Sequence, residues 1–444
     1  RMNDISQKLK ETLLGLIRNQ DLSECVRAPD KDFARNRKLP YEKMILSLLT
    51  MEGTSLKNEL LRQFGYHCDI ASSSAFVQQR EKILPAAMEK LFYSFVAETD
   101  VPLGFKGFRL IAVDGSDIQM PTNLNDADSL IQTCEGRKPY NLLHLNALYD
   151  LQAHTYVDAI VQKKHASSEN GALTNMVDRS EITGDVILIA DRGYESYNNM
   201  AHIQEKGWKY LIRIKDFQQY NSGILHGFEF PNQEEFDIDI NLTVTRKQTN
   251  KIKELLKDKN HYRKIAHSKT FDYLPKTSRK ADPAVMYAIP FRIVRFPVSE
   301  NAYEVVVTNL DKKDFPSELL KQLYAKRWGI ETSFRDLKYT IGLLHFHSKK
   351  VEHILQEIYA RLIMYNFSEL ITSHVIIEKK NRKHEYKANF SVAAHICREF
   401  LLGINTPPDI EALIARYITP IRPGRSRPRD MKIKQAISFM YRVA

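Results

Sequence analysis

Three acidic residues stand where they could take part in chemistry on a phosphate. Asp114 follows the apolar run LIAV, Asp191 follows the apolar run VILIA, and Glu331 lies among basic and aromatic residues in YAKRWGIETSFRDLK. If the two runs form neighbouring strands, their aspartates converge at the carboxyl edge of a sheet, where open α/β sheets place their sites. Glu331, on a helix packed against that sheet, would be the third carboxylate of the same pocket.

Three carboxylates in one pocket repel each other unless cations neutralise them. The hard divalent ions Mg²⁺ and Mn²⁺ prefer oxygen ligands of this kind. Two such ions can activate a water or a 3′-hydroxyl and stabilise the leaving oxygen of an in-line displacement at a phosphodiester. The pattern therefore predicts metal-assisted phosphodiester chemistry.

Glu331 also has a simpler explanation, as part of an ion-paired helix surface. The spacing predicts one helix over 315–342, with an apolar stripe facing the core beside a narrow polar stripe. Arg327 at i−4 and Arg335 at i+4 are possible partners of Glu331. The polar stripe holds four residues, Tyr324, Arg327, Glu331 and Lys338.

Two residues near these acids have ordinary interpretations. Asp117 lies three residues after Asp114 and could replace or support it, but we favour Asp114 because it directly follows the strand. His144 falls in a strand pattern and is expected to be an ordinary sheet residue.

The elements that must position the acids change in type along the chain. Two short helical patterns in the first hundred residues favour either a helix-turn-helix, with Ser74–Ile83 as its groove helix, or a plain helical bundle. Strands and helices then alternate, as in an α/β domain. The expected divisions are a helical domain (1–100), the first part of the α/β core (101–215), a β-rich insertion (216–310), the second part of the core with the Glu331 helix (311–373) and a basic helical region (374–444).

The charge of the chain indicates an anionic partner. Its net charge is +11, and the residues from 371 onward hold 14 Lys and Arg against 6 Asp and Glu, which is +8 of that total. No apolar run reaches the ~20 residues of a membrane span, and the first residues lack a signal-peptide core. The four cysteines form no CxxC pair, and no Walker A pattern occurs. We expect a cytoplasmic protein with no membrane partner and no nucleotide cofactor.

The acids and the polar stripe together resemble the DDE transposases of bacterial insertion sequences, in the branch called the IS-four family. Three further features are similar to that branch: ADRGY after an apolar strand, a Ser-Ala-Phe-x-x-x-Arg helix from Ser74 to Arg80, and RPGRSRPR near the carboxyl end. The residues that carry the resemblance are Asp114 and Asp191, with the signature Tyr324-x2-Arg327-x3-Glu331-x6-Lys338.

The resemblance implies a fold and a cofactor. It implies a multi-domain α/β protein with an RNase H-like catalytic core, interrupted by the β-rich insertion and flanked by helical amino- and carboxyl-terminal domains. It also implies that Asp114, Asp191 and Glu331 are catalytic residues and metal ligands. Two Mg²⁺ ions would bind there, and Mn²⁺ would be able to substitute.

The resemblance further implies that the partners are transposon terminal inverted repeats and target DNA. A homodimer would hold two ends and act at the bacterial nucleoid. The chain would cleave the transposon end, in some members through a hairpin, and join its 3′-hydroxyl to target DNA. The residues expected to contact DNA are Tyr324, Arg327, Lys338, Arg80, Arg422, Arg425, Arg427 and Arg429.

Some members of the branch use a tryptophan of the insertion to handle a flipped base. Here Trp208 and Trp328 lie outside 216–310, and Tyr303 is the nearest aromatic residue for that role. Two alternatives to a transposase stay open: an RNase H-like nuclease that does not join ends, and a DNA-binding protein whose catalysis has decayed.

Overall fold

The structure is a computed structural model with a mixed α/β architecture. The residues it describes are 3–35, 37–100, 104–132, 138–216, 222–231, 233–276, 279, 283, 285–299, 302–378, 384–404 and 409–421. Its helices are α1 (Asn3–Arg18), α2 (Leu22–Cys25), α3 (Tyr41–Thr50), α4 (Leu56–Gln63), α5 (Ser73–Arg80), α6 (Pro85–Glu98), α7 (Glu169–Arg179), α8 (Tyr197–Glu205), α9 (Asn250–Leu255), α10 (Ser317–Lys326), α11 (Trp328–Tyr339), α12 (Val351–Ser373), α13 (Phe390–Leu402) and α14 (Ile410–Ala415). Its strands are β1 (Phe108–Met120), β2 (Leu130–Ile131), β3 (Tyr140–Asp150), β4 (Thr155–Lys163), β5 (Asp185–Ala190), β6 (Lys209–Ile214), β7 (Phe236–Thr245), β8 (Tyr262–Lys264), β9 (Met286–Ser299), β10 (Ala302–Thr308), β11 (Tyr386–Ala388) and β12 (Ile418–Pro420).

One large sheet organises the chain. Its strand order is β2-β3-β1-β5-β6-β10-β9-β7-β8. Strand β4 lies off this path and pairs antiparallel with β3. Strand β1 runs antiparallel to β3 and parallel to β5, and β5 runs parallel to β6. The two apolar runs that precede Asp114 and Asp191 are therefore adjacent parallel strands, which is the condition under which their aspartates converge.

Both faces of the central strands are covered. Because side chains alternate along a strand, Ile187 and Ile189 of β5 enter one apolar core, and Val186, Leu188 and Ala190 enter another. The first core includes apolar side chains of α11, α12 and the amino-terminal helices, and the second includes those of α7 and α8. Burial on both faces explains why β5 reads as an unbroken apolar run.

Helix α12 forms the centre of the helical side. Seventeen of its 23 residues are buried, as expected for a helix with neighbours on all sides. It packs against α3, α6 and α13, and also against α11 and β4. Within the described part of the chain, none of the helices is long and apolar enough to cross a membrane.

The strands predicted for 216–310 continue the central sheet. Strand β10 pairs antiparallel with β6, in a register that runs from Val305↔Ile214 to Thr308↔Leu211. Strands β9, β7 and β8 follow outward from β10. The chain thus adds β7, β8 and β9 to the outer part of the sheet before β10 returns beside β6, while the division of the chain into domains stays a prediction.

The prediction that Arg80 contacts DNA is corrected by the position of its side chain. Arg80 ends α5, and only 1% of the residue is exposed. Its guanidinium donates hydrogen bonds to Gln356 Oε1 at 2.8 Å, Glu357 Oε1 at 2.8 Å and the His353 carbonyl at 2.6 Å. Arg80 is therefore a structural cation that joins α5 to α12.

Candidate active site

Asp114 lies on β1 where that strand passes the end of its pairing with β5. Its Oδ1 accepts a hydrogen bond from the Gly115 N–H at 2.8 Å, and 23% of the side chain is exposed. The pKa of Asp114 is raised to about 6, first by burial and then by the charges of Asp191 and Glu331, against the opposing effects of the Gly115 N–H and Arg327. Asp114 is therefore within the electrostatic influence of both other predicted acids.

Asp191 follows β5 and begins a single helical turn over 192–194. Its Oδ1 accepts a hydrogen bond from the Gly193 N–H at 2.7 Å, which fixes the carboxylate at the start of that turn. The last registered pair between the two strands is Ala112↔Ile189. Two residues further along each strand stand Asp114 and Asp191, which places both aspartates at the same edge of the sheet.

Glu331 lies on α11, and its ion pair with Arg327 is present. Arg327 Nη2 donates to Glu331 Oε1 at 2.6 Å, and Arg327 Nη1 lies 3.8 Å from Asp114 Oδ2. The ion pair with Arg327 expected for Glu331 is therefore present, while Arg335 lies 3.6 Å from Asp336; the role of Glu331 as a third acid of the site stays a prediction. One nearly buried guanidinium, 5% exposed, connects the helix acid to the strand acid.

The prediction of one continuous helix over 315–342 is wrong, because the helix breaks at Arg327. The Arg327 N–H donates to the Tyr324 carbonyl, and the Ile330 N–H donates to the Arg327 carbonyl. Each bond joins residues three apart, as in a 3₁₀ turn, instead of the four of an α-helix. Gly329 follows the break, and a Cβ atom there would lie 2.9 Å from Leu151 Cδ2. The glycine lets α11 come close to the turn between β3 and β4, which brings Glu331 to the sheet.

The other residues expected to contact DNA occupy different environments. Tyr324 is 5% exposed, and the Arg327 guanidinium carbon lies 5.6 Å from its ring centroid. Lys338 is half-buried and donates to the Asp117 carbonyl at 2.8 Å. The four carboxyl-terminal arginines, Arg422, Arg425, Arg427 and Arg429, lie outside the described residues.

An exposed tryptophan directly after Arg327 is a feature that the sequence reasoning missed. Trp328 is 55% exposed, and its ring centroid is 5.7 Å from the Arg327 guanidinium carbon. Trp208, by contrast, is 4% exposed and belongs to the core. The available signal was the position of Trp328 inside the signature, directly after Arg327.

A second missed feature is an ionic cluster on β1, β3 and α7. His144 Nδ1 lies 2.6 Å from Asp117 Oδ1, and His144 Nε2 lies 3.1 Å from Glu169 Oε1. Lys164 Nζ donates to Asp117 Oδ1 at 2.7 Å. The expectation that His144 is an ordinary sheet residue therefore needs correction, since its ring is held by two carboxylates.

The chemistry of the donor set fits a divalent cation. Asp114, Asp191 and Glu331 offer carboxylate oxygens, the preferred ligands of Mg²⁺ and Mn²⁺, and the raised pKa of Asp114 shows that the site disfavours uncompensated negative charge. Over the described ranges, no group of three or more His, Cys, Asp and Glu side chains is close enough together to hold an ion. Asp114 and Asp191 stand at one edge of the sheet, and Arg327 lies between Asp114 and Glu331.

An acidic strand edge faced by a helix carrying a third acid is the arrangement of a transposase DDE domain. The model of that family, described as the transposase DDE domain, matches residues 106–367, which is more than half of the chain, and the protein belongs to the family. The chain is also 24% identical over 364 residues to the transposase InsG for insertion sequence element IS4 of Escherichia coli (strain K12). That match covers 78% of this chain and 72% of the relative, and it confirms the resemblance to the IS4 type.

One solved structure is similar in overall shape. It is the cryo-EM structure of a piggyBac transposase synaptic complex with hairpin DNA, at a TM-score of 0.46 and 9% sequence identity. The similarity covers 94% of this chain and 87% of the other.

Proposed function

We propose that this transposase cleaves phosphodiester bonds at the ends of its own mobile element and joins the freed 3′-hydroxyl to target DNA. The observation that carries the proposal is the placement of Asp114 and Asp191 at the ends of adjacent parallel strands, with the Glu331 charge acting on the same carboxyl group. This arrangement supports an RNase H-like core, in which the antiparallel strands β1, β3 and β4 continue into the parallel strands β5 and β6.

Asp114, Asp191 and Glu331 would hold the divalent metal, which we assign as two Mg²⁺ ions replaceable by Mn²⁺. When bound, such ions activate the attacking oxygen and stabilise the leaving oxygen. The protein's own part is to keep three mutually repelling carboxylates at one edge. It does this through the N–H groups of Gly115 and Gly193, which hold the two aspartates.

The basic residues around the acids would position the DNA backbone. Arg327 lies between two of the acids, and Lys338 lies over the Asp117 end of β1, so a phosphate at the acids would be within reach of positive charge from two sides. Tyr324 supports the Arg327 guanidinium with its ring. Contacts further along the DNA are assigned to residues 1–100 and to the basic tail.

A hairpin step is favoured by the exposure of Trp328. An indole that is 55% exposed beside Arg327, the ion-pair partner of Glu331, offers a flat surface on which an unpaired base can stack. This residue, on α11, takes the role first sought among the aromatic residues of 216–310. We further propose that two copies of the chain act together on two element ends, at the DNA in the bacterial cytoplasm.

The proposal is tested by cleavage of a labelled duplex that carries the element's own end. Wild type and Glu331→Gln are incubated with Mg²⁺, Mn²⁺ or EDTA, and the products are run on native and denaturing gels. We expect metal-dependent nicking and end joining by wild type, with cleavage abolished and DNA binding retained in Glu331→Gln.

The alternatives give different products in the same assay. Cutting without any joined product would identify a nuclease that lacks strand transfer. Tight binding by wild type without cutting under any metal condition would identify a decayed DNA-binding protein. Cutting by Glu331→Gln at a rate close to that of wild type would remove Glu331 from the site.

A further inference from the structure

We propose that Glu169, whose carboxylate contacts the His144 ring, is a positioning residue of this active site. It would keep the backbone segments that carry Asp114 and Asp191 at a fixed distance from each other. The inference rests on the proposed function, because it assigns a role toward the same acids. It goes beyond that function by adding an acid that belongs to neither the acidic triad nor the polar stripe of the Glu331 helix.

The position of His144 follows from the pairing of β1 with β3. In that register His144 lies opposite Asp117, and its side chain is 5% exposed. Glu169 is the first residue of α7, and the Ser168 side chain caps that helix by accepting the Gly171 N–H. The imidazole therefore connects a strand residue to the beginning of a helix.

The His144–Glu169 pair lies directly against the backbone that carries Asp114. A Cβ atom at Gly115 would be 2.5 Å from His144 Nε2, closer than real Cβ atoms approach, and 3.2 Å from Glu169 Oε1, which is a tight contact. Gly115 is also the residue whose N–H holds Asp114 Oδ1. The absence of a side chain at position 115 is thus what allows the pair to reach this strand.

The second carboxylate oxygen of Glu169 lies beside the turn that carries Asp191. A Cβ atom at Gly193 would be 3.5 Å from Glu169 Oε2 and 3.0 Å from Asp191 Oδ1. Glu169 Oε2 and Asp191 Oδ1 therefore both lie near the Gly193 Cα, and the Gly193 N–H donates a hydrogen bond to Asp191 Oδ1. One glutamate spans the two backbone segments that fix the catalytic aspartates.

A buried hydroxyl shows independently that Glu169 shares the space of these acids. Tyr194 is 1% exposed, and among the described residues its hydroxyl has no hydrogen-bond partner. Burial raises the pKa of Tyr194 well above its usual value, and the charges of Asp114, Glu169 and Asp191 raise it further. The hydroxyl is thus within the field of two triad acids and Glu169 at once.

The positive charge of protonated His144 partly neutralises the Glu169 carboxylate. Glu169 can therefore lie near the other acids with less electrostatic repulsion. Burial alone would lower the pKa of His144, but its contacts with Asp117 and Glu169 outweigh burial and raise that pKa to about 9. The two carboxylates therefore favour the protonated ring at neutral pH. Groups that orient metal-binding side chains in this way commonly change metal affinity or activity by about 10–100-fold when they are replaced.

The test compares Glu169→Gln with wild type by titrating Mn²⁺ into the full chain and following the free ion by electron paramagnetic resonance. We expect Mn²⁺ binding to weaken by about 10–100-fold, with a parallel loss of cleavage and an unchanged affinity for end DNA. The matched control is His202→Gln. It removes a similar buried histidine, held by Asp178 at 2.8 Å and Asp272 at 3.0 Å, and should leave Mn²⁺ binding unchanged.

A second variant disturbs the same contact by changing Gly115 on β1 instead of Glu169. It remains informative if Glu169→Gln fails to fold. Gly115→Ala should displace the His144–Glu169 pair and weaken Mn²⁺ binding. Gly15→Ala, in a helix where a Cβ atom meets nothing within 4 Å, should not do so. Combining Gly115→Ala with Glu169→Gln should cost less than the sum of the two single effects, because both disturb one contact.

Wild-type Mn²⁺ affinity in both Glu169→Gln and Gly115→Ala would overturn the inference. A lower melting temperature with unchanged Mn²⁺ affinity would also overturn it, since Glu169 would then only support the fold. If wild type cuts no DNA yet Glu169→Gln still weakens Mn²⁺ binding, the proposed function fails while the positioning role stands.

Discussion

Replacing Asp114 by Asn should stabilise the folded protein while it removes catalysis. The reason is the cost of keeping this carboxylate charged beside Asp191 and Glu331. Its pKa is raised from 3.8 to about 6 in the folded chain, first by burial and then by those two charges. Asn keeps nearly the same shape and carries no charge, so the variant avoids that cost.

The size of the effect follows from the difference between the two pKa values. About two pH units correspond to about 3 kcal/mol at ~1.36 kcal/mol per unit. Below about pH 4 the acid is protonated in both states and costs nothing. The cost grows as pH rises through about 6 and then stays constant, so the gain from Asn should be about 3 kcal/mol at pH 8 and roughly half of that at pH 5.

The measurement is thermal unfolding of wild type and Asp114→Asn in EDTA at pH 5 and pH 8. For a chain of this length, about 3 kcal/mol corresponds to a rise of about 3 °C in melting temperature. Addition of Mg²⁺ should then stabilise wild type more than Asp114→Asn, because a ligand that binds the folded state raises its stability. Asp185→Asn, at the exposed start of β5, serves as the control and should change stability by less than ~0.5 kcal/mol.

Two results would refute this reasoning. A less stable Asp114→Asn at pH 8 would mean that the carboxylate contributes favourable interactions instead of a cost. An equal gain at pH 5 and pH 8 would mean that the stabilisation has a source other than the charge.

Three further sets of substitutions test the burial of Arg80, the role of Trp328 and the phosphate contacts of the basic tail. Arg80→Met should destabilise the protein by about 3–5 kcal/mol, because the buried Glu357 carboxylate loses its arginine partner while keeping its contacts with His347, and calorimetry would show this; unchanged stability with weaker DNA binding would return Arg80 to the DNA surface. Trp328→Ala should reduce cleavage and abolish the fluorescence change of 2-aminopurine at the element end, because base–aromatic stacking is worth about 1–3 kcal/mol, whereas Trp328→Phe should largely retain both. Replacing the basic tail residues with glutamine should flatten the dependence of log affinity on log salt by about 0.9 per lost phosphate contact, and an unchanged slope would show that the tail does not touch phosphate. The residues replaced are Arg422, Arg425, Arg427 and Arg429.

The convergence of Asp114 and Asp191 could be predicted from the sequence because it depends on local pattern. Two short apolar runs, each ending in an aspartate, indicate buried strands that terminate at the same kind of edge. The structure confirms that β1 and β5 are parallel neighbours. Helical periodicity placed Glu331 on a helix, although it did not reveal that this helix breaks at Arg327.

Features that depend on distant contacts could not be predicted in the same way. Arg80 has the polarity of a surface residue, and its burial depends on Glu357, which is 277 residues away in the chain. The helix break at Arg327 depends on how Gly329 meets Leu151. Glu169 belongs to no motif. The glycines at 115 and 193 are the available sequence signal, and they indicate a close contact only when the position of α7 beside them is known.

The pairing of β10 with β6 has a consequence for how this protein unfolds. Val305 pairs with Ile214, so the two ends of the long segment between them are joined by a ladder of hydrogen bonds. The strands within that segment belong to the same sheet, and Phe236 and Ile293 enter the same core as Leu188 of β5. The segment should therefore unfold together with the strands that precede Asp114 and Asp191, and protection from hydrogen exchange should be lost in both at once.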